Sequence, residues 1–199
     1  MISIDISLDE KQLHAVKDTL LHIPGGAEKA IARAINRAVE GARTDAVKAV
    51  CELYEIKPVA VRKTIQIQRA TPKKLKAIIF STGSTIGLYN FFVSPKKPPK
   101  QKGVKVSNRK TVIAGVKFGT RAEFPGGFIA RMKSGHKGIW RRTGETTENG
   151  LPEIKEFFGL SVPQMLGNDK VLDFIRHRAN RRLHKELYHQ INFLFKGGK

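Results

Sequence analysis

Apolar and polar residues alternate from the second position of the chain. Ile2, Ile4 and Ile6 are separated by Ser3, Asp5 and Ser7, a period of two that predicts a short strand. Ser7 or Asp9 can then cap a helix running to about Leu21, with Leu13, Val16 and Leu20 on one face. Pro24-Gly25-Gly26 breaks it. A long helix is predicted from about Ala27 to Tyr54, where Ala27, Ile31, Ala34, Ile35, Ala38, Ala42, Ala49, Val50 and Leu53 recur at helical spacing. Its apolar stripe is rich in alanine, which lets a neighbouring element approach closely, and Gly41 marks a weak spot or a bend.

Beyond Pro58 the period shortens again. After a short helix over Val59–Lys63, strands are predicted at Thr64–Ala70 and at Lys74–Ser81, the latter with Leu75, Ala77 and Ile79 on one face. A turn at Thr82–Thr85 leads into a strand-like aromatic run, Ile86–Val93. Further strands are expected at Thr111–Phe118, Gly127–Met132 and Gly138–Arg142, so residues 65–142 read as a meander of short strands. One excursion interrupts it: residues 94–103 hold three prolines and four lysines, a composition that packs no core and predicts an extended basic arm over 94–110. The end is helical. Val162 begins a short helix, and Asn168 or Asp169 caps a long one to about Phe195, striped by Leu172, Ile175, Ala179, Leu183, Leu187, Ile191 and Leu194. The expected class is α+β, a small and mostly antiparallel sheet packed by long N-terminal and C-terminal helices, in one domain over residues 1–199.

Composition narrows this picture. A chain of 199 residues with 40% hydrophobic content can bury a core of its own. The single cysteine, Cys51, excludes an intramolecular disulfide framework and reads as a small helix-packing residue. The N-terminal residues lack a basic start and an apolar stretch, so no signal peptide is expected, and no apolar run is long enough to span a bilayer. A soluble protein made in the cytoplasm is the expectation.

Charge changes the picture more. The net charge is +20, unevenly placed. Residues 1–55 carry 7 basic and 9 acidic side chains, residues 56–122 carry 16 basic and none acidic, and residues 123–199 carry 14 basic and 8 acidic. Self-repulsion in the acid-free stretch calls for something negative nearby. A phosphate backbone, an acidic protein surface or a simple solvated face would each answer.

Catalytic patterns are missing. There is no Gly-x-x-x-x-Gly-Lys-Ser/Thr loop and no Gly-x-Gly-x-x-Gly opening a helix. Ser84, in Gly83-Ser84-Thr85, is not a nucleophile elbow. The acid-free centre offers no carboxylates to a divalent-metal nuclease. His177 and His184 lie seven residues apart on one helix, about 10 Å along its axis, too far for one ion. No zinc-finger or aromatic RNA-binding signature is present, so any nucleic-acid contact is expected to be with the backbone. No enzyme, cofactor, metal or membrane partner is expected.

One segment carries a resemblance. Phe128-Ile129-Ala130 opens it, followed by the turn Gly135-His136-Lys137-Gly138 and the strand Ile139-Trp140-Arg141-Arg142. Then come Leu151-Pro152 and the finish Gly159-Leu160-Ser161-Val162-Pro163-Gln164-Met165. This resembles the phage minor tail protein Z family, and the helix around Ala32-Arg33-Ala34-Ile35-Asn36-Arg37-Ala38 is similar to that family's Ala/Asn/Arg-rich helix. The resemblance implies a structural virion protein that completes the head-proximal end of the tail and helps join tail to head. It further implies a homo-oligomeric ring around the DNA path, with six-fold symmetry the expectation. The partners implied are tail-terminator, tube and head-connector proteins, with non-specific contact to genomic DNA. Subunit or DNA contacts are expected from Lys96, Lys97, Lys100, Lys102, Lys105, Arg109 and Lys110 of the arm, and from His136, Lys137, Arg141 and Arg142, which show no packing duty in the sequence. Gly135 and Gly138 would bracket a tight turn, while Leu151-Pro152 and Val162-Pro163 would set extended entries into following helices. Against this stands a basic nucleic-acid-binding protein of ribosomal or nucleoid type, suited equally by the acid-free centre.

Overall fold

The computed structural model describes residues 1–23, 25–96 and 111–197. Most of the predicted basic arm, including Lys97, Lys100, Lys102, Lys105, Arg109 and Lys110, lies outside the described residues. The class is α+β, with antiparallel strands and helices towards both ends, as the periodicity predicts. The chain divides into two compact units, one built from residues 1–50, 59–83 and 163–199, the other from 51–58 and 84–162.

Unit 1 contains β1 (Ile2–Ser7), α1 (Glu10–Thr19), most of α2 (Gly26–Leu53), most of α3 (Pro58–Thr64), β2 (Ile65–Gln68), β3 (Lys76–Ser81), most of α4 (Val162–Leu166) and α5 (Asp169–Phe195). Its sheet runs in the order β1-β3-β2, with Ile4 and Ile67 both opposite Ile79 and Ile6 opposite Ala77. The strand period puts Ile4, Ile6, Ile65, Ala77 and Ile79 on the buried face. Ser81 is fully buried beside them and donates a hydrogen bond to the Thr64 hydroxyl at 3.0 Å.

Helix α1 starts at a reciprocal cap. The Gln12 amide donates to the Asp9 carboxylate at 2.7 Å, and the Asp9 amide reaches the Gln12 side chain at 3.4 Å. Helix α2 is the spine of the unit. Ala30, Ile31, Ala34, Ile35, Ala38, Val39, Ala42 and Ala46 are buried, and Lys29, Arg33 and Arg37 are exposed along one basic strip. Burial therefore extends well around the helix beyond the predicted stripe, as a helix enclosed on several sides requires. Helix α5 runs antiparallel to α2: Arg182 bonds Asp45 at 2.7 Å and Glu186 meets Arg37 at 3.3 Å. Asn168 caps α5 by accepting from the Lys170 amide at 3.2 Å.

Unit 2 holds two three-stranded antiparallel sheets. The first is β4 (Phe92–Ser94), β5 (Val112–Gly115) and β6 (Ala122–Phe124) in that order, and the second is β7 (Phe128–Arg131), β8 (Lys137–Thr146) and β9 (Pro152–Glu156). Phe124 and Phe157 pack edge to face at 4.9 Å between ring centres. The Tyr54–Ile56 segment is fastened here: the Glu55 amide donates to the Val116 carbonyl at 2.9 Å, and the Glu55 carboxylate holds Arg121, whose guanidinium lies 3.7 Å from the Phe92 ring centre.

Several local expectations are corrected. The meander over 65–142 is distributed over three sheets, because β3 pairs with β1 at the start of the chain as well as with β2. The run Ile86–Val93 is not one strand. A turn of 3-10 helix at Leu88–Asn90 interrupts it and turns Leu88 and Phe91, three residues apart, into the interior. Strand β8 runs four residues past Arg142, through a register shift at which Gly144 takes φ +90°. Leu151-Pro152 leads into strand β9 and not into a helix. Proline is acceptable as the first residue of a strand, where its missing amide costs no ladder bond.

Candidate functional site

The β7–β8 hairpin presents the predicted contact residues. Its turn closes through Gly135, whose φ of +86° suits only glycine without strain, and the Met132 amide donates to the His136 carbonyl at 2.8 Å. His136 and Lys137 follow at the surface, as expected. His136 nevertheless has a packing duty that the sequence did not reveal. Its Nε2 stands 2.9 Å from both carboxylate oxygens of Glu156, a side chain only 9% exposed. Close glycines make room for that carboxylate: a Cβ on Gly87 or Gly138 would lie 2.5 or 2.6 Å from Glu156 Oε1. The Trp140 ring meets the His136 ring edge to face at 6.0 Å.

Arg141 and Arg142 are consecutive strand residues and therefore leave opposite faces of the sheet. Arg141 lies 5.7 Å from the Phe157 ring centre and Arg142 lies 5.9 Å from that of Phe128. The structure thus gathers His136 with Glu156 and Trp140, and separates the two arginines. Lys96, at the start of the arm, is exposed, and its carbonyl accepts from the Tyr89 hydroxyl at 2.9 Å.

Most of the motif residues build framework. Ile129, Ser161, Val162, Pro163 and Met165 are buried, while Phe128 and Ala130 flank Ile129 on β7. Gly159 donates its amide to the Ile86 carbonyl at 2.8 Å. Leu151 is the exception, 65% exposed beside Pro152 at the end of the β8–β9 hairpin.

Among the described residues no three His, Cys, Asp or Glu side chains gather to hold a metal ion. Burial pushes the Cys51 thiol up from its ordinary value, away from the reactive thiolate, and its Sγ lies 3.5 Å from the Ile56 carbonyl. A cavity of about 330 Å³ in unit 1, lined by His14, Lys17, Asp18, Leu21 and Glu28 among others, mixes both charges with apolar wall and groups no nucleophile with a base. No described helix is long and apolar enough to cross a membrane. Sequence reasoning missed Glu156, Glu55 and Asp45, the acids that organise the basic side chains. Each lies 66 to 137 residues, or in the case of Glu156 20 residues, from its partner, and no local pattern marks such pairs.

The framework is antiparallel α+β, and the polar cluster of His136 and Glu156 ties its strands together. The family model described as prophage minor tail protein Z (GPZ) matches residues 12–196, nearly the whole chain, and the chain belongs to that family of phage tail structural proteins. Neither a curated protein nor a solved structure matches it.

Proposed function

We propose that this chain completes the head-proximal end of a phage tail and helps join tail to head, as a homo-oligomeric six-fold ring around the DNA path. In this role the whole chain acts as one tail-completion domain without catalysis. Its neighbours are the tail-terminator or tube proteins on one side and head-connector proteins on the other. The observation that carries the reading is family membership across residues 12–196, joined to the acid-free stretch 56–122. Of the sixteen cations in that stretch, Arg69, Lys76 and Arg121 are paired with acids from the first 55 residues, and a subunit crowded beside DNA and acidic neighbours can hold the others, which an isolated globule would not favour.

Lys96, Lys97, Lys100, Lys102, Lys105, Arg109 and Lys110 of the arm, with His136, Lys137, Arg141 and Arg142, supply the contacts to a neighbouring subunit or to DNA. DNA must still slide through the ring, so these contacts are moderate and salt-sensitive. The test is a phage in which synthesis of this chain is blocked. Tails should still form but fail to join filled heads, and a density map of the wild-type neck should show the chain as a closed ring. Infectious particles made without it, or its absence from purified virions by mass spectrometry, would refute the proposal.

A further inference from the structure

Two exposed surfaces of opposite charge remain unused by the contacts described so far. The first is the end of the β8–β9 hairpin. Residues 143–154 carry Glu145, Glu148 and Glu153 and no Lys or Arg. The tip is a defined turn: Thr146 pairs with Pro152, and the Thr147 and Gly150 amides donate to the Leu151 and Thr147 carbonyls at 2.8 Å each. The Thr143 hydroxyl, donating to Glu153 at 2.6 Å, is the chief reason that its carboxyl sits below the ordinary range; Lys155 stands 3.6 Å from the same carboxylate, so, among the described residues, the acids of this end without a cation beside them are Glu145 and Glu148. Glu145 and Glu148 are exposed and form no ion pair among the described residues, and Leu151 stands 65% exposed beside them.

The second surface is the outward side of α5. Ile175, Ala179, Leu183 and Leu187 point inward. Arg181, Lys185 and Tyr188 lie on the opposite side, within about 10 Å along the axis. Tyr188 is 70% exposed, and neither Arg181 nor Lys185 has an ion-pair partner among the described residues.

Charge complementarity selects the occupant. Copies of a +20 chain repel each other overall, so a contact between them must set a local acidic patch against a basic one. Asp5, Glu40, Asp45, Glu55 and Glu186 are already engaged by a Lys or Arg of their own chain; among the described acids that are not, Glu145 and Glu148 share one hairpin end with the exposed Leu151. Each surface also centres an exposed apolar or aromatic side chain within its charges, the anatomy of an interface core with a polar rim. We propose that the hairpin tip of one copy docks on the outer face of α5 of the next copy. Leu151 packs against Tyr188, and Glu145 and Glu148 face Arg181 and Lys185. The two surfaces differ, so the contact is heterologous, the kind that repeats around a ring. This inference rests on the ring reading above and names the surfaces that would build it.

The test uses two full-length charge-reversal variants, Glu145→Lys/Glu148→Lys and Arg181→Glu/Lys185→Glu, with far-UV circular dichroism confirming that both fold. Sedimentation velocity should show each alone weakened in self-association by about tenfold or more relative to the unaltered chain. An equimolar mixture should assemble again, because the reversed tip then meets the reversed helix while the native tip and helix also find each other. Unaltered assembly of either variant, or a mixture that stays apart while the unaltered chain assembles, overturns the inference and leaves the ring standing. If the unaltered chain associates only on tails, the same mixing is read by complementation of a phage lacking the chain. Failure of the mixture to restore what the unaltered chain restores again overturns the inference. A single copy per tail by quantitative mass spectrometry overturns the ring reading itself.

Discussion

Glycine in the middle of a long helix ordinarily invites replacement by alanine, which gains about 1 kcal/mol of helix propensity. At Gly41 of α2 the opposite is predicted. A Cβ there would strike the Arg182 guanidinium and its Cδ, and that guanidinium is held 2.7 Å from the Asp45 carboxylate. Arg182 can move aside only by releasing Asp45, a residue 7% exposed. Removing the partner of a buried charge costs about 3–5 kcal/mol. Because the Arg182 side chain is 32% exposed, water reaches the displaced cation and the loss is set at about 2–3 kcal/mol. Less the propensity gain, Gly41→Ala should destabilise by about 1–2 kcal/mol. With a urea m-value of about 2 kcal/mol/M, the midpoint falls by about 0.5–1 M, read by far-UV circular dichroism. The decisive control is the background Asp45→Asn/Arg182→Ala, where neither the charge nor any of the obstructing Arg182 atoms remains. There Gly41→Ala should stabilise, by up to about 1 kcal/mol. Stabilisation in the unaltered chain, or equal destabilisation in both backgrounds, would refute the reasoning.

Two further outcomes follow from hydrogen bonds. The Asn36 side chain donates to the Ala70 carbonyl at 2.9 Å and accepts from the Ala70 amide at 2.8 Å; Asn36→Ala strands both buried backbone groups and should cost about 1–3 kcal/mol in the same urea titration, with Asn36→Asp intermediate. The Glu153 carboxyl is depressed chiefly by the Thr143 hydroxyl, so its contribution to stability is present above the ordinary carboxylate range and is lost as the pH falls through the lowered value. Thr143→Val should bring the Glu153 titration midpoint back up, as followed by NMR, and an unmoved midpoint would assign the shift to other neighbours.

The helices were readable because their apolar residues repeat over many turns: the stripe from Leu172 to Leu194 extends through six turns, and a single misleading residue cannot hide it. The short strands were not equally readable. Strand β6 is three residues long and no more than half-buried, so it shows no alternation to detect, and β9 opens on a proline that also suits a helix start. Leu88 and Phe91 were read as strand residues because the aromatic content of their segment favours strands, yet both are buried through a tight turn. The contact residues were only partly legible for a related reason. Lys137 announces its exposure by composition, whereas the tie between His136 and Glu156 depends on Gly87 and Gly138 lying against the same carboxylate, which no spacing in the chain encodes.

The interleaving of the two units along the chain sets an order on synthesis. Every residue of unit 2 has left the ribosome once Val162 has emerged, whereas unit 1 still lacks the segment from Pro163 onward that carries most of α4 and all of α5. Until that segment arrives, the alanine-rich flank of α2 and the apolar face of the first sheet stand without part of their cover, and Asp45 without its arginine. The segment that completes unit 1 is therefore made after the whole of unit 2. The outer face of α5 becomes available only once that segment has emerged, so a chain translated no further than Val162 cannot display it to a growing particle.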